Sequence, residues 1–260
     1  MMSWQWTGDG FVSGAVVPVS DRGFRYGMSV FETVRISGGQ AEFLEEHLHR
    51  LQNACEDRRF RPDTRALAAV GALLDGSGLE GVARIYVTAG EGGVEADAGE
   101  NRIFLLAEAR GRPGATAYHV NIADTSIEPL FGGLKTGNYW ANLAAVESAR
   151  RLGFDETLIF NGRAELVSAG LANVFIVQGN RVRTPARECG ARDGVIRQWV
   201  MRHVVADECS LFMDDVVSAE EMFLTNSWIG VISVASCDRR ELSSQRVAAG
   251  LQHLLRGSAA

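Results

Sequence analysis

Two hydrophobic periods alternate along this chain. Residues 11–19 and 30–37 are rich in β-branched and aromatic side chains, which predicts strands, and Gly38-Gly39 marks a turn after the second. Leu44, Leu48, Leu51 and Ala54 recur at helical spacing, so 44–55 reads as a helix with one apolar face. A second helix is expected over 65–74, stopping at Asp75-Gly76, with strands over 83–89 and 103–108. Gly111-Arg112-Pro113-Gly114 is the best linker candidate. Beyond it the pattern predicts strands at 118–123, 157–160, 174–177, 222–225 and 231–234, and helices at 142–152 and 195–205. This mixture predicts an α+β or α/β architecture in two lobes, a smaller domain over 1–115 and a larger one over 116–260.

Composition narrows the function little. The 260 residues are 46% hydrophobic and 22% charged, with a formal net charge of -6. That is not the basic footprint of a nucleic-acid binder. No apolar run is long enough to span a membrane, and the N-terminus lacks the charged and apolar regions of a signal peptide. Cys55, Cys189, Cys209 and Cys237 lie far apart without a C-x-x-C pair, so neither a metal site nor a disulfide framework is expected. A cytoplasmic location follows as an expectation.

One detail changes the picture. Of the 26 basic residues, Lys135 is the single lysine. A coding bias toward arginine explains the rarity of lysine but not the survival of one. Arginine stays protonated, whereas a lysine can lose its proton in a suitable pocket and form a Schiff base. Lys135 lies in Phe131-Gly132-Gly133-Leu134-Lys135-Thr136-Gly137-Asn138-Tyr139, where glycines allow sharp turns and close approach. A helical turn here would set the Tyr139 hydroxyl beside the lysine amine. A carbonyl cofactor with a phosphate handle also needs an anion site. Gly190 to Arg197 reads G-A-R-D-G-V-I-R and opens a helix, so the Val195 and Ile196 amides are candidates. The polar turn Thr225-Asn226-Ser227 is a second candidate, and Arg50, at the end of the first long helix, a third.

Three motifs tie these residues together: Asp21-Arg22-Gly23-Phe24-Arg25-Tyr26-Gly27, Val30-Phe31-Glu32-Thr33-Val34-Arg35 and Glu46-His47-Leu48-His49-Arg50-Leu51. They resemble the opening of the fold-type IV (class IV) pyridoxal-phosphate aminotransferases, which include branched-chain and D-amino-acid aminotransferases and aminodeoxychorismate lyases. The likeness continues through Lys135 to Tyr139, Gly153 to Leu158, Asn173-Val174-Phe175, Thr184-Pro185 with Gly190, Gly194 and Arg197, and Phe223 to Val234. It implies two lobes with pyridoxal 5′-phosphate between them, and a homodimer. By this resemblance Lys135 would carry the internal aldimine and move the proton at the substrate α-carbon. Arg50, the Val195 and Ile196 amides and Ser227 would hold the phosphate, and Tyr139 would neighbour the phenolic oxygen. The Trp228 and Ile229 amides would meet the substrate carboxylate, and Tyr26, Glu32 and Arg35 would lie on the substrate side. The implied activity is amino transfer between an amino acid and a 2-oxo acid. The alternatives are aminodeoxychorismate lyase, releasing pyruvate, and a homologue that binds the cofactor without turnover.

Two positions depart from the family pattern. The glutamate that lies five residues before the asparagine in the family, and protonates the pyridine nitrogen, is Ser168 here. The nearest carboxylate, Glu165, is three residues early unless the connection is bulged. A hydroxyl cannot hold that proton comparably, which tilts the chemistry toward elimination. After Thr88, where relatives often read T-R-G, the chain has Ala89-Gly90, so carboxylate capture would pass to Trp228 and Ile229 or to an arginine such as Arg35.

Overall fold

The computed structural model describes residues 1–75, 77–93, 100–111 and 114–258. The chain divides into two compact units, one of Met1–Arg112 with Lys135–Asn138, the other of Pro113–Leu134 with Tyr139–Ala260. Of the expected linker at 111–114, positions 112 and 113 fall outside the described residues, as does Gly76.

The first unit is an antiparallel sheet with helices on one face. Its strands are β1 (Met2–Trp6), β2 (Phe11–Ser13), β3 (Ser29–Ser37), β4 (Gln40–Ala41), β5 (Gly81–Thr88) and β6 (Arg102–Ala109), in the order β2-β1-β6-β5-β3-β4. Its helices are α1 (Arg22–Tyr26), α2 (Leu44–Asp57) and α3 (Thr64–Asp75). The expected strand at 11–19 stops at Ser13: Gly14 turns at φ +80° with its N–H on the Ser3 carbonyl, and Val16 and Val19 beyond it stay exposed. Side chains alternate across a strand, so Val30, Glu32, Val34 and Ile36 of β3 share one face and Phe31, Thr33 and Arg35 the other. The first set faces α2, as the Glu32 hydrogen bonds to that helix show. Leu51 of α2 and Ala66, Leu67, Val70 and Leu74 of α3 complete this core.

The second unit holds a mixed nine-stranded sheet. Its strands are β7 (Ala117–Ile122), β8 (Glu156–Phe160), β9 (Leu166–Ala169), β10 (Asn173–Gln178), β11 (Arg181–Pro185), β12 (Ala206–Cys209), β13 (Glu221–Asn226), β14 (Gly230–Cys237) and β15 (Arg240–Glu241). Its helices are α4 (Trp140–Arg151), α5 (Val195–His203), α6 (Met213–Val217) and α7 (Arg246–Ser258). Strands β14, β7 and β8 run parallel, and α4 fills the crossover from β7 to β8. Both faces of the central strands are covered. Val174, Ile176, Met222 and Leu224 join one core with Leu158, Leu166 and Val216. On the other face Phe175 stacks on Phe223 with ring centroids 4.8 Å apart, beneath α5 and α7, which pack on β13. Burial on both faces is why these strands read as unbroken apolar runs rather than alternation.

Candidate active site

Lys135 does not sit on a helix. The segment before it is a short 3-10 turn, and Lys135–Asn138 then runs beside the start of β3. Phe31 N–H donates to the Lys135 carbonyl at 2.9 Å, Gly137 N–H donates to the Ser29 carbonyl at 2.9 Å, and Thr136 forms a bridge with Val30. The glycines serve close approach of backbone to backbone. Gly133 has φ +82°, and a Cβ there would lie 2.5 Å from the Gly190 carbonyl; at Gly137 it would lie 2.3 Å from Ser29 Oγ. The lysine is thus placed by a locked main chain. Its Nζ lies 4.1 Å from the Phe31 ring centroid, and Phe31 stacks on Tyr86 at 5.1 Å and 16°. Because the stretch is extended, Tyr139 is not one helical turn from Lys135; it precedes α4, and its hydroxyl accepts from Arg192 Nη1 at 2.9 Å.

On the opposite face of β3, Glu32 is held by α2. Arg50 Nε donates to Glu32 Oε1 at 2.7 Å and Arg50 Nη2 to Oε2 at 2.6 Å, while His47 Nδ1 lies 2.8 Å from Oε2. Burial pushes the Glu32 pKa up, but the Arg50 charge and the hydrogen bonds from His47 and Arg50 overcome this and hold it well below the carboxylate range. Burial lowers the His47 pKa against the pull of Glu32, and the Arg50 and Lys135 charges add to the lowering. Arg50 lies mid-helix in α2, not at its end, which sets its fork onto the strand. Arg35, on the Phe31 face, pairs with Glu42 at 3.5 Å, and its Nη2 is buried without a hydrogen-bond partner among the described residues. Tyr26 closes α1, with the Arg25 guanidinium over its ring at 4.8 Å.

The second unit supplies a candidate anion cradle. Gly194 caps α5, whose first amides, those of Val195 and Ile196, have no acceptor within the helix. A Cβ on Gly194 would meet Asn173 Oδ1 at 2.1 Å, so only glycine lets the helix start so close to β10. Asn173 Nδ2 donates to the Arg192 carbonyl at 2.6 Å and fixes the approach to the helix. Asn173 faces Thr225 across the β10–β13 ladder, and the buried Thr225 Oγ1 has no partner among the described residues. Ser227 follows two residues later. A hydroxyl across the ladder from the asparagine that touches a helix N-terminus, followed by a serine, fits a phosphate group. The turn after β13 is less open. The Trp228 and Ile229 amides already donate to Asn226 Oδ1, at 2.9 and 2.8 Å, so a substrate carboxylate would have to displace that oxygen.

Ser168 is half-buried on β9, paired with Ile159. A bulge does occur here, since Ile159 pairs with Ser168 but Phe160 with Leu166. It does not bring Glu165 to the Ser168 position. Glu165 accepts from Asn161 Nδ2 at 2.8 Å, Ser210 Oγ at 2.9 Å and Arg163 Nε at 2.8 Å.

The motifs did not single out Phe31, Tyr86 or Arg192 as site residues, whereas Thr225 was part of the second anion-site candidate. Strand alternation contains the signal for the first: it puts Phe31, not Glu32, on the face that Lys135 reaches. Tyr86 and Arg192 require tertiary pairing. Among the described residues no group of histidine, cysteine, aspartate and glutamate could hold a metal ion, and no helix is long and apolar enough to cross a membrane.

Residues 29–237 match the family described as Amino-transferase class IV. A Methanocaldococcus jannaschii protein provisionally named a branched-chain-amino-acid aminotransferase is 26% identical over 90% of this chain and 86% of its own. An aminodeoxychorismate lyase of Vibrio harveyi is 24% identical over 86% and 89%. Among solved structures, 4-amino-4-deoxychorismate lyase from Pseudomonas aeruginosa is similar with a TM-score of 0.88, 27% identity and 98% of each chain covered.

Proposed function

Because the chain belongs to the class IV aminotransferase family, we propose that it is a pyridoxal 5′-phosphate enzyme that moves an amino group between an amino acid and a 2-oxo acid, with Lys135 holding the cofactor. The observation that carries this is the single lysine, fixed against β3 by main-chain hydrogen bonds with its amine over Phe31. The bound cofactor supplies an electron sink for charge developing at the substrate α-carbon. The protein supplies the rest. Lys135 Nζ would move the proton at the substrate α-carbon. The Val195 and Ile196 amides with Thr225 and Ser227 would hold the phosphate. Glu32 fixes the orientation of the Arg50 fork and keeps its charge when His47 stays neutral. Phe31 and Tyr86 give the lysine an apolar wall that keeps water from its amine.

A lyase reading is favoured by one observation: no carboxylate occupies the Ser168 position, since Glu165 is engaged elsewhere. A pyridine nitrogen without a carboxylate partner is a weaker electron sink, and elimination relies on that sink less than transamination does. A cytoplasmic homodimer completes the proposal, supported by free cysteines and by exposed Val12, Val16, Val19 and Phe24 on the first unit.

A product assay tests the choice. The protein would be supplied with pyridoxal phosphate and either aminodeoxychorismate or a panel of L- and D-amino acids with 2-oxo acids. Stoichiometric amino acid and oxo acid products are expected; pyruvate and 4-aminobenzoate from aminodeoxychorismate alone would establish the lyase instead.

A further inference from the structure

We infer that Arg192 is a binding residue for the substrate carboxylate, aimed by Tyr139. This rests on the amino-acid chemistry proposed above. The guanidinium is fixed on two sides: Nε donates to the Gly133 carbonyl at 3.2 Å and Nη1 to the Tyr139 hydroxyl at 2.9 Å. It also lies over the Tyr139 ring, 5.2 Å from the centroid. Its main chain is pinned as well, through the 2.6 Å bond from Asn173 Nδ2 to its carbonyl. A side chain held this way loses little further freedom on binding a ligand.

The charge of this arginine is not compensated. Among the described residues no carboxylate pairs with it, and the adjacent Asp193 turns instead to Arg187 at 3.8 Å and Arg197 at 3.5 Å. Nη2 makes no hydrogen bond among the described residues and is not sealed from solvent. The N-terminus of α5, three residues on, adds positive potential of the same sign. A half-buried, oriented guanidinium with unused N–H groups, in a positive field, is a receptor for an oxyanion. Two oxyanions suit it, the substrate carboxylate and the cofactor phosphate. The phosphate already has the α5 amides, Thr225 and Ser227. The other carboxylate candidates suit it less: the Trp228 and Ile229 amides donate to Asn226, and the charge of Arg35 is compensated by Glu42. The carboxylate is therefore the assignment.

The test uses the full chain with pyridoxal phosphate, its Arg192→Gln and Arg192→Lys variants, and butanoate as an unreactive carboxylate probe. Butanoate affinity is read by calorimetry and cofactor affinity by fluorescence titration. Arg192→Gln should weaken butanoate by roughly 10- to 100-fold, the range of a charged hydrogen-bonded contact, and Arg192→Lys by less. Cofactor affinity should move less than about threefold. An unchanged butanoate affinity, or wild-type protein that binds no butanoate at millimolar concentration, overturns the assignment. So does an equal loss of cofactor affinity, which would make Arg192 a phosphate residue. Wild-type protein that takes butanoate but no pyridoxal phosphate would refute the proposed function while leaving the Arg192 comparison readable.

Discussion

Two buried glutamates carry opposite titration behaviour, and their neighbours decide it. Glu32 and Glu156 are 2% and 4% exposed, so both lose hydration. Glu32 meets the Arg50 fork and His47, and is held ionised. Glu156 accepts from backbone amides, Thr157 N–H at 3.0 Å and Leu171 N–H at 3.1 Å, and burial outweighs these and the Arg150 charge to push its pKa up to about 7. Raised in the folded chain above its ordinary 4.5, Glu156 contributes stability that is complete below pH 4.5 and is lost as pH rises to about 7. Replacing Glu156 by Gln removes that titration. The stability difference between wild type and Glu156→Gln, from urea melts, should therefore fall between pH 4.5 and 7, by at most about 3 kcal/mol, and be flat above. A difference that grows with pH over this window would contradict the environment described for Glu156. None of this was legible in the sequence, where the two residues are alike. Burial and partners are tertiary properties.

At the scale of elements, α5 is the piece whose start matters most. Its helical spacing and the glycine before it were readable from residues 190–197, and the helix begins at Val195 as expected. It ends at His203 rather than 205, because Val204 is extended and Val205 lies 93% exposed. What the sequence did not contain was the reason for Gly194. Its φ is -70°, which any residue adopts, so the requirement is purely steric, against Asn173. Gly194→Ala should push Asn173 aside, weaken pyridoxal phosphate binding by about tenfold and cost about 1–3 kcal/mol of stability. Fluorescence titration and thermal melts check this; unchanged cofactor affinity would mean the cradle lies elsewhere. The short strands β9, β11 and β12 and helix α6 escaped prediction because each is held by its neighbours rather than by a periodic apolar face. Helix α7 escaped because its start is capped from a distance, by Glu221 accepting from the Val247 and Ala248 amides at 3.2 and 2.8 Å.

At the scale of the molecule, the family was legible because its motifs run in order through the chain, and the match over residues 29–237 bears that out. The geometry around Lys135 was only half legible. The glycines announced close approach, and what they approach is the protein itself, while the Tyr139 hydroxyl accepts from Arg192, a contact no spacing announces. The substrate stays open for a physical reason: the residues that would choose it, such as Arg192, are brought to their posts by contacts between distant segments.

The most direct measurement is mass spectrometry of peptides after borohydride reduction of the yellow, cofactor-loaded protein. A phosphopyridoxyl group on Lys135 alone, with the visible band bleached and Lys135→Ala unlabelled, is the predicted result. Cofactor retained covalently by the Lys135→Ala protein would contradict it.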